Sequence, residues 1–197
     1  MTTTAIPLSR PAGAKREAIL EAALRLIART GLHNTPMSAI AREAGVAAGT
    51  PYLYFASKEE LINALYLEVA EGRDREVLTA VDVALPAREQ LWRSWQRFAS
   101  WHLEHRDASN FIHQCESSAI LTGETRARYL ALREHGLESF SAGVRAGQLR
   151  DLPIEVFYSL FAGPVFVLAH MRDKQEIEVS EEILRLTFEG VARGVLA

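Results

Sequence analysis

Cysteine is almost absent from this chain, and several other signals are missing with it. Cys115 is the only cysteine in 197 residues, so an intrachain disulfide framework is impossible and a reducing compartment is expected. No apolar segment of signal-peptide length stands at the N-terminus, and the longest apolar run, residues 165–169, is too short to cross a bilayer. These absences predict a cytoplasmic protein with no membrane attachment.

The sequence also lacks the common catalytic patterns. It has no glycine-rich phosphate loop after a strand and no G-x-S-x-G motif, and its carboxylates are scattered along polar helix faces. We therefore predict no catalytic residue, no cofactor and no enzymatic activity. Alternating strand patterns and hairpin turns are missing too, which leaves apolar residues at helical spacing and an all-α fold of about nine helices.

Near residue 50, the sequence predicts a short helix that is followed directly by a longer one. Pro51 fits the first turn of a helix that begins near Thr50, because proline needs no N-H partner there. Ser57 and Glu60 have capping-box spacing, with the hydroxyl accepting from the Glu60 N-H and the carboxylate accepting from the Ser57 N-H. The sequence thus predicts that a new helix begins at Lys58.

Two further helices precede this segment. The first covers about residues 14–30 and ends at Gly31, and the second is predicted to have Thr35 as its N-cap and to end at Gly45. Helix, glycine stop, short helix, turn and short helix make a three-helix helix-turn-helix head. Its predicted core is Ile40, Ala44, Val46, Leu53 and Phe55.

Charge is distributed unevenly along the chain. Residues 1–58 carry seven basic and three acidic residues, a balance of +4, and the remainder carries −7. Since attraction to phosphate is screened within about 10 Å at moderate salt, a basic head can bind DNA even though the whole chain is acidic. Chance alone could also produce this balance, so charge supports the head without proving it. Arg10, Lys15 and Arg16 are possible phosphate contacts.

The head resembles the TetR family of bacterial transcriptional regulators over roughly the first third of the chain. The residues that carry the resemblance are Thr35-Pro36-Met37-Ser38-Ala39-Ile40-Ala41, Ala44-Gly45-Val46, Gly49-Thr50, Tyr54-Phe55 and Lys58-Glu59-Glu60-Leu61. Pro51 departs from the family, which usually has an ordinary apolar residue there. The resemblance implies a homodimer, most often a repressor, that binds a palindromic operator in double-stranded DNA and responds to a small-molecule effector.

Three domains follow from this interpretation: a flexible arm at 1–13, a helix-turn-helix domain at 14–57, and an effector-binding and dimerisation domain at 58–197. Hydroxyls on a short helix are the groups that contact phosphates and base edges. The predicted DNA-binding residues are Thr35, Ser38, Ala48, Gly49, Thr50, Tyr52, Tyr54 and Lys58.

The segment 154–170 is apolar on nearly every side, so it must be buried on more than one face. Pairing with its own copy through a four-helix interface satisfies that need, and the last two helices form the dimer interface in the TetR family. A monomer that buries the segment under its own helices is the alternative. The predicted interface consists of Phe157, Phe161, Val165, Leu168, Leu184, Phe188, Val191 and Val195, with a kink or close approach at Gly163-Pro164.

Aromatic residues in the body could line an effector pocket or simply fill the core. The candidates are Trp95, Phe98, Trp101, His102, Phe111, Cys115, Tyr129, Phe166 and His170, and they suggest a largely apolar effector. His102, His105, His113 and Cys115 could also be drawn as a metal site, but their spacing matches no closed zinc pattern, so we predict no metal. A helical enzyme or metal-binding protein with a helix-turn-helix-like segment is the rival function.

Overall fold

A computed structural model describes residues 13–78, 85–132 and 134–197 of the chain, so the predicted N-terminal arm lies almost wholly outside the described residues. These ranges contain nine α-helices, one short 3-10 helix and no named strand, which confirms the all-α prediction. The helices are α1 (Ala14–Thr30), α2 (Met37–Glu43), α3 (Lys58–Leu78), α4 (Ala87–Glu104), α5 (Arg106–Glu116), α6 (Gly123–Leu132), α7 (Glu134–Arg145), α8 (Ile154–Asp173) and α9 (Glu181–Val195), and the 3-10 helix is Thr50–Leu53.

Contacts divide the chain into two compact units. The first unit comprises residues up to 72 together with 107–132, and the second comprises 73–106 together with 133–197. The division differs from the predicted domain boundary after residue 57. The reason is that the first half of α3 belongs to the core of the first unit, where Leu61, Ile62 and Leu65 are completely buried.

Glycine ends both helices that precede residue 50, as predicted. Gly31 takes a φ of 87° after α1, and its N-H donates to the carbonyl of Ile27 at 2.9 Å. Gly45 takes a φ of 67° after α2, and the next N-H, that of Val46, reaches back to the carbonyl of Ala41 at 3.0 Å. Both positions favour glycine because a side chain is strained at positive φ.

Two capping predictions need correction. Thr35 does not cap α2; Pro36 occupies that position, and the Thr35 hydroxyl donates to the Gly31 carbonyl at 2.8 Å. Ser57 does cap α3, since its hydroxyl accepts from the Glu60 N-H at 3.1 Å. The Glu60 carboxylate, however, accepts from the N-H of Ala56 at 2.7 Å rather than from that of Ser57. The carboxylate therefore stabilises the turn one residue earlier than predicted.

Polar side chains of α3 and α5 tie the first unit together. The Gln114 side chain accepts from the Leu32 N-H at 3.1 Å and donates to the Ile27 carbonyl at 3.2 Å, which satisfies groups at the end of α1. Asn63 on α3 donates to the Ile120 carbonyl at 3.0 Å and accepts from the Thr122 N-H at 3.0 Å. These bonds hold α5 and the loop after it against the helices of the head.

The second unit packs α4, α8 and α9 around an aromatic core. The Trp95 indole N-H donates to the Phe161 carbonyl at 2.8 Å, and the rings of Trp95 and Phe188 lie 5.8 Å apart. Leu160 lies 3.2 Å from where a Cβ on Gly194 would be, so α8 and α9 approach closely at Gly194. Among the described residues the predicted close approach at Gly163 is not present, because a Cβ there would contact none of them within 4 Å.

The predicted long helix at 124–147 corresponds to α6 and α7, which lie on either side of residue 133, outside the described residues. Leu130 of its heptad stripe is exposed rather than packed. Helix α8 is long and apolar enough to cross a membrane by length and composition, although core helices of soluble proteins meet the same test. Only 22% of its most apolar window is fully buried among the described residues, and Val156 and Val167 are exposed.

Candidate nucleic-acid interface

The short helix at residues 50–53 is held to the first unit by two buried side chains. Pro51 and Phe55 both point inward, and Phe55 is 3% exposed. The N-H groups of Tyr54 and Phe55 both donate to the Pro51 carbonyl, at 3.1 and 3.0 Å. The Arg16 guanidinium lies 5.4 Å from the centre of the Phe55 ring and forms an ion pair with Glu68 at 2.6 Å. Arg16 thus stabilises the short helix by packing against the Phe55 ring on its buried side.

Between these anchors, three consecutive side chains point to solvent, and we refer to Tyr52, Leu53 and Tyr54 as the tip. Their exposed fractions are 56%, 82% and 39%. The exposure of Leu53 corrects its assignment to the core. Pro51 and Phe55 lie one helical turn apart on one side, so Leu53, two residues after Pro51, lies on the opposite side. The tip presents two hydroxyls and one aliphatic side chain together.

The other predicted DNA-binding residues fall into three groups. Ser38, Ala48 and Gly49 are exposed, and Thr50 and Lys58 are half-buried beside the tip in sequence. Thr35 is only 1% exposed, and its hydroxyl bonds to Thr30 and Gly31, so it is unavailable to DNA. The prediction for Thr35 is corrected because that hydroxyl stabilises the turn after α1.

The basic side chains of the head differ in whether they form ion pairs. Arg25 and Arg29 lie 3.5 and 3.6 Å from the Glu43 carboxylate, which partly neutralises them. Arg42, at the end of α2, and Lys15, near the start of α1, are exposed and form no ion pair among the described residues. Among the described cations of the head, Lys15, Arg42 and Lys58 form no ion pair and leave positive charge for a phosphate backbone, and Arg10 lies outside the described residues.

Sequence reasoning missed Leu53 and Arg42 as surface residues of this site. Leu53 was assigned inward because it is apolar, whereas its position relative to Pro51 and Phe55 already pointed outward. Arg42 was counted in the charge balance, but its availability depends on which carboxylates pair with which arginines. Only the folded chain shows that Glu43 faces Arg25 and Arg29.

The predicted effector residues divide between the two units. Phe111, Cys115 and Tyr129 belong to the first unit, and the other six belong to the second. Most are buried, but His170 is exposed on α8 and is not part of a core. An open groove of about 500 Å³ in the second unit includes none of the nine residues; Leu103, Arg172, Gln175, Ile177, Glu178 and Val179 line it.

Cys115 is a packing residue in this structure. It is completely buried, and desolvation raises the pKa of its thiol to about 12, so it stays protonated at neutral pH. Among the residues that the structure describes, no group of three His, Cys, Asp or Glu side chains could hold a metal ion.

The second unit buries polar groups at the end of α4 and on its part of α3. The indole N-H of Trp101, the Nδ1 atom of His105 and one carboxylate oxygen of Asp74 are buried and form no hydrogen bond within the described chain. The His102 ring lies 4.9 Å from Trp101 and 5.1 Å from Phe166. Burial, with the nearby positive charge of Arg73, lowers the pKa of His102 well below its usual value, so the ring is neutral at pH 7.

The predicted dimer residues also need revision. Val165, Phe188, Val191 and Val195 are between 0% and 4% exposed and form the core with α4, so they are unavailable at the protomer surface. The opposite face of α8 and α9 carries Val156, Val167 and Leu186, which are 43%, 56% and 66% exposed. We call these three residues the outer face. Leu168 is 9% exposed, and Phe157, Phe161 and Leu184 are half-buried against the core. Helical periodicity identified the apolar helices, but four of the eight predicted residues belong to the core of the protomer.

The comparisons with known proteins agree with this architecture. A family model described as "Bacterial regulatory proteins, tetR family" matches residues 19–65, which include the whole tip. The chain is similar to the transcriptional repressor KstR2 of Mycobacterium tuberculosis, with 28% identity over 163 residues and 78% of each chain covered. A structure of that protein is described as a ketosteroid transcriptional regulator.

A second relative is the fatty acid metabolism regulator protein of Bacillus subtilis, 48% identical over 50 residues. That match covers 25% of this chain and 26% of the relative, so the chain matches about a quarter of the relative's length. Among solved structures, a TetR family transcription regulator from Marinobacter aquaeolei superposes with a TM-score of 0.85 and 26% identity. The superposition covers 93% of this chain and 96% of that one.

Proposed function

We propose that this chain, which belongs to the TetR family of bacterial regulatory proteins, is a transcriptional regulator that binds double-stranded DNA through its tip. The observation that carries the proposal is the tip itself, three exposed side chains held between buried Pro51 and Phe55. A short, firmly anchored helix end can enter the major groove, while Lys15, Arg42 and Lys58 attract the phosphates.

The first experiment tests DNA binding directly. Duplexes selected by the purified protein from a random-sequence pool, together with DNA upstream of its own gene, are titrated in a fluorescence anisotropy assay. We expect a palindromic site to bind far more tightly than a scrambled duplex of the same length, with affinity that falls as salt rises. Equal affinity for both duplexes at every salt concentration would contradict the proposal.

The outer face of α8 and α9 supports a homodimer. Val156, Val167 and Leu186 are exposed on helices whose opposite sides are packed in the core, and apolar side chains exposed in this way are what a second copy of the chain could cover. A two-fold interface places the same face on both copies, which suits two heads on a palindromic operator. Sedimentation at micromolar concentration tests this; a monomer there would contradict it.

An effector site is proposed beside Trp101 in the second unit. The aromatic rings of Trp101, His102 and Phe166 supply apolar surface, and the Trp101 N-H is buried with no hydrogen bond to any described residue. Such groups ordinarily find partners, and a ligand with a carbonyl or hydroxyl oxygen would provide one. The names of two relatives, regulators of fatty acid metabolism and of ketosteroids, also support a largely apolar effector.

The effector proposal is tested by thermal stabilisation. Small apolar molecules that carry one or two oxygen atoms are screened, because a ligand at 100 times its dissociation constant stabilises the fold by about 2.7 kcal/mol. A repressor released by its effector must lose operator affinity by the same factor by which DNA weakens effector binding. Molecules that bind tightly and leave operator affinity unchanged would contradict the release mechanism while leaving DNA binding intact.

The rival function is a helical enzyme or metal-binding protein with a helix-turn-helix-like segment. It predicts no sequence-specific DNA affinity, so the selected-duplex titration separates the two. A cytoplasmic repressor that acts on a promoter remains the function we propose.

A further inference from the structure

Leu53 is the most exposed large apolar side chain in the described part of the protein, at 82%. An isolated exposed leucine is ordinary on a protein surface, so exposure alone carries little meaning. What distinguishes Leu53 is its position at the centre of the tip, between two tyrosines, on the segment that we propose enters the DNA groove. The inference therefore rests on the proposed function.

The anchoring of the tip keeps Leu53 outward. Pro51 and Phe55 fill the inner side of the segment, and the Pro51 carbonyl accepts from both following N-H groups of Tyr54 and Phe55. Rotating the segment enough to bury Leu53 would expose Phe55 and remove it from beneath the Arg16 guanidinium. Leu53 thus has no route to the core that does not displace a larger apolar side chain.

The chemistry of leucine restricts what it can contact on DNA. The side chain has no hydrogen-bond donor or acceptor, so it gains nothing from a phosphate or from a polar base edge. In the major groove, the C5 methyl group of thymine is the apolar feature that distinguishes one base pair from the others. Tyr52 and Tyr54 can use their hydroxyls for phosphates or base edges on either side.

We propose that Leu53 is a specificity-determining residue that packs against the C5 methyl group of a thymine in each operator half-site. The contact would make one position of each half-site prefer thymine, although no hydrogen bond reads it. Burying one methyl group is enough to change affinity about fourfold per half-site, and about 15-fold when both halves are altered.

The test replaces thymine by deoxyuridine at one position of the selected operator at a time, symmetrically in both half-sites. Deoxyuridine keeps base pairing and every hydrogen-bonding group, so only the methyl group is lost. The wild-type protein is expected to lose about 15-fold in affinity at one position per half-site. The Leu53→Ala variant should bind more weakly and show no loss at that position, and Leu53→Met should keep the loss.

Leu130→Ala is the matched control, because Leu130 is another exposed leucine of the first unit, far from the tip in sequence. It should reproduce the wild-type deoxyuridine pattern. Specific binding with no sensitivity to deoxyuridine at any position would overturn the inference but leave the proposed function standing. So would an unchanged loss in Leu53→Ala. Absence of any sequence-specific binding by the wild-type protein would overturn both.

Discussion

Buried polar side chains are treated differently in the two compact units. In the described part of the first unit, Asn63 and Thr125 are buried and form hydrogen bonds within the chain, and Gln114 satisfies the end of α1. In the second unit, the Trp101 N-H and a carboxylate oxygen of Asp74 are buried and form no hydrogen bond to any described residue. A polar network whose members all form hydrogen bonds specifies one rigid arrangement, whereas a buried donor or acceptor without a partner can form a hydrogen bond with a ligand.

The apolar surfaces of the two units differ as well. The first exposes the tip on a head that also carries Lys15, Arg42 and Lys58, which form no ion pair among the described residues, and the second exposes the outer face on two long helices. A small exposed tip with two hydroxyls, on a head that carries available cations, suits a nucleic acid, and exposed apolar side chains on two long helices suit a second copy of the chain. The two surfaces therefore indicate two different partners although both consist of exposed apolar side chains.

The largest expected effect separates the inner and outer faces of α8. Val165 is 1% exposed and Val167 is 56% exposed, two residues apart on one helix. Val165→Glu should destabilise the fold by about 3–5 kcal/mol, because the buried charge has no partner. Val167→Glu should leave a folded protein that sediments as a monomer. Circular dichroism with urea and sedimentation velocity measure both, and a dimeric Val167→Glu variant would place the interface elsewhere.

The next largest effect is expected from the two hydrogen bonds that Asn63 forms with the loop after α5 in the first unit. Asn63→Ala leaves the Ile120 carbonyl and the Thr122 N-H without their partner, which should cost about 1–3 kcal/mol of unfolding free energy. Among the described residues the exposed Asn34 side chain donates to the Thr30 carbonyl alone, so Asn34→Ala serves as the control and should cost less than about 0.5 kcal/mol. Equal costs would mean that these two hydrogen bonds do not stabilise this unit.

Acidification should weaken the second unit through His102. Because burial lowers its pKa in the folded state, the unfolded chain takes up a proton first as pH falls below about 6.5. Stability is therefore full above that pH and falls by about 1.4 kcal/mol per pH unit until the folded-state pKa is reached. Urea unfolding at pH 7.5 and 5.5 measures the decline, which His102→Gln should reduce and the exposed His113→Gln should not.

The smallest effect concerns the cations of the head. Arg42→Ala should reduce the slope of log affinity against log salt by about one unit, since it removes one phosphate contact. Arg25 is paired with Glu43, so Arg25→Ala should leave that slope nearly unchanged. The same measurement applies to Lys58→Ala. If Arg25 and Arg42 behave alike, ion pairing within the head does not select the phosphate contacts.

Much of the local structure was predictable from the sequence. Gly31 and Gly45 end helices because the backbone there takes a positive φ, which is strained for every residue that has a side chain. Ser57 caps α3 because its hydroxyl can reach the Glu60 N-H. These are short-range effects that depend on neighbours within four residues. The helical content, the order of the head's helices and the family resemblance followed from the same kind of signal.

Which face of a helix is buried, and which groups a side chain contacts, could be determined only from the tertiary structure. Helical spacing showed that α8 and α9 are apolar, but packing against α4 decided that Val165 and Phe188 face inward and that Val167 and Leu186 face outward. Likewise, Leu53 is a surface residue because Pro51 and Phe55 already fill the space beneath the tip. Thr35 is not available to contact DNA because it is buried and its hydroxyl donates to the Gly31 carbonyl. Long-range packing decides such choices, because each apolar side chain competes for the same limited interior volume.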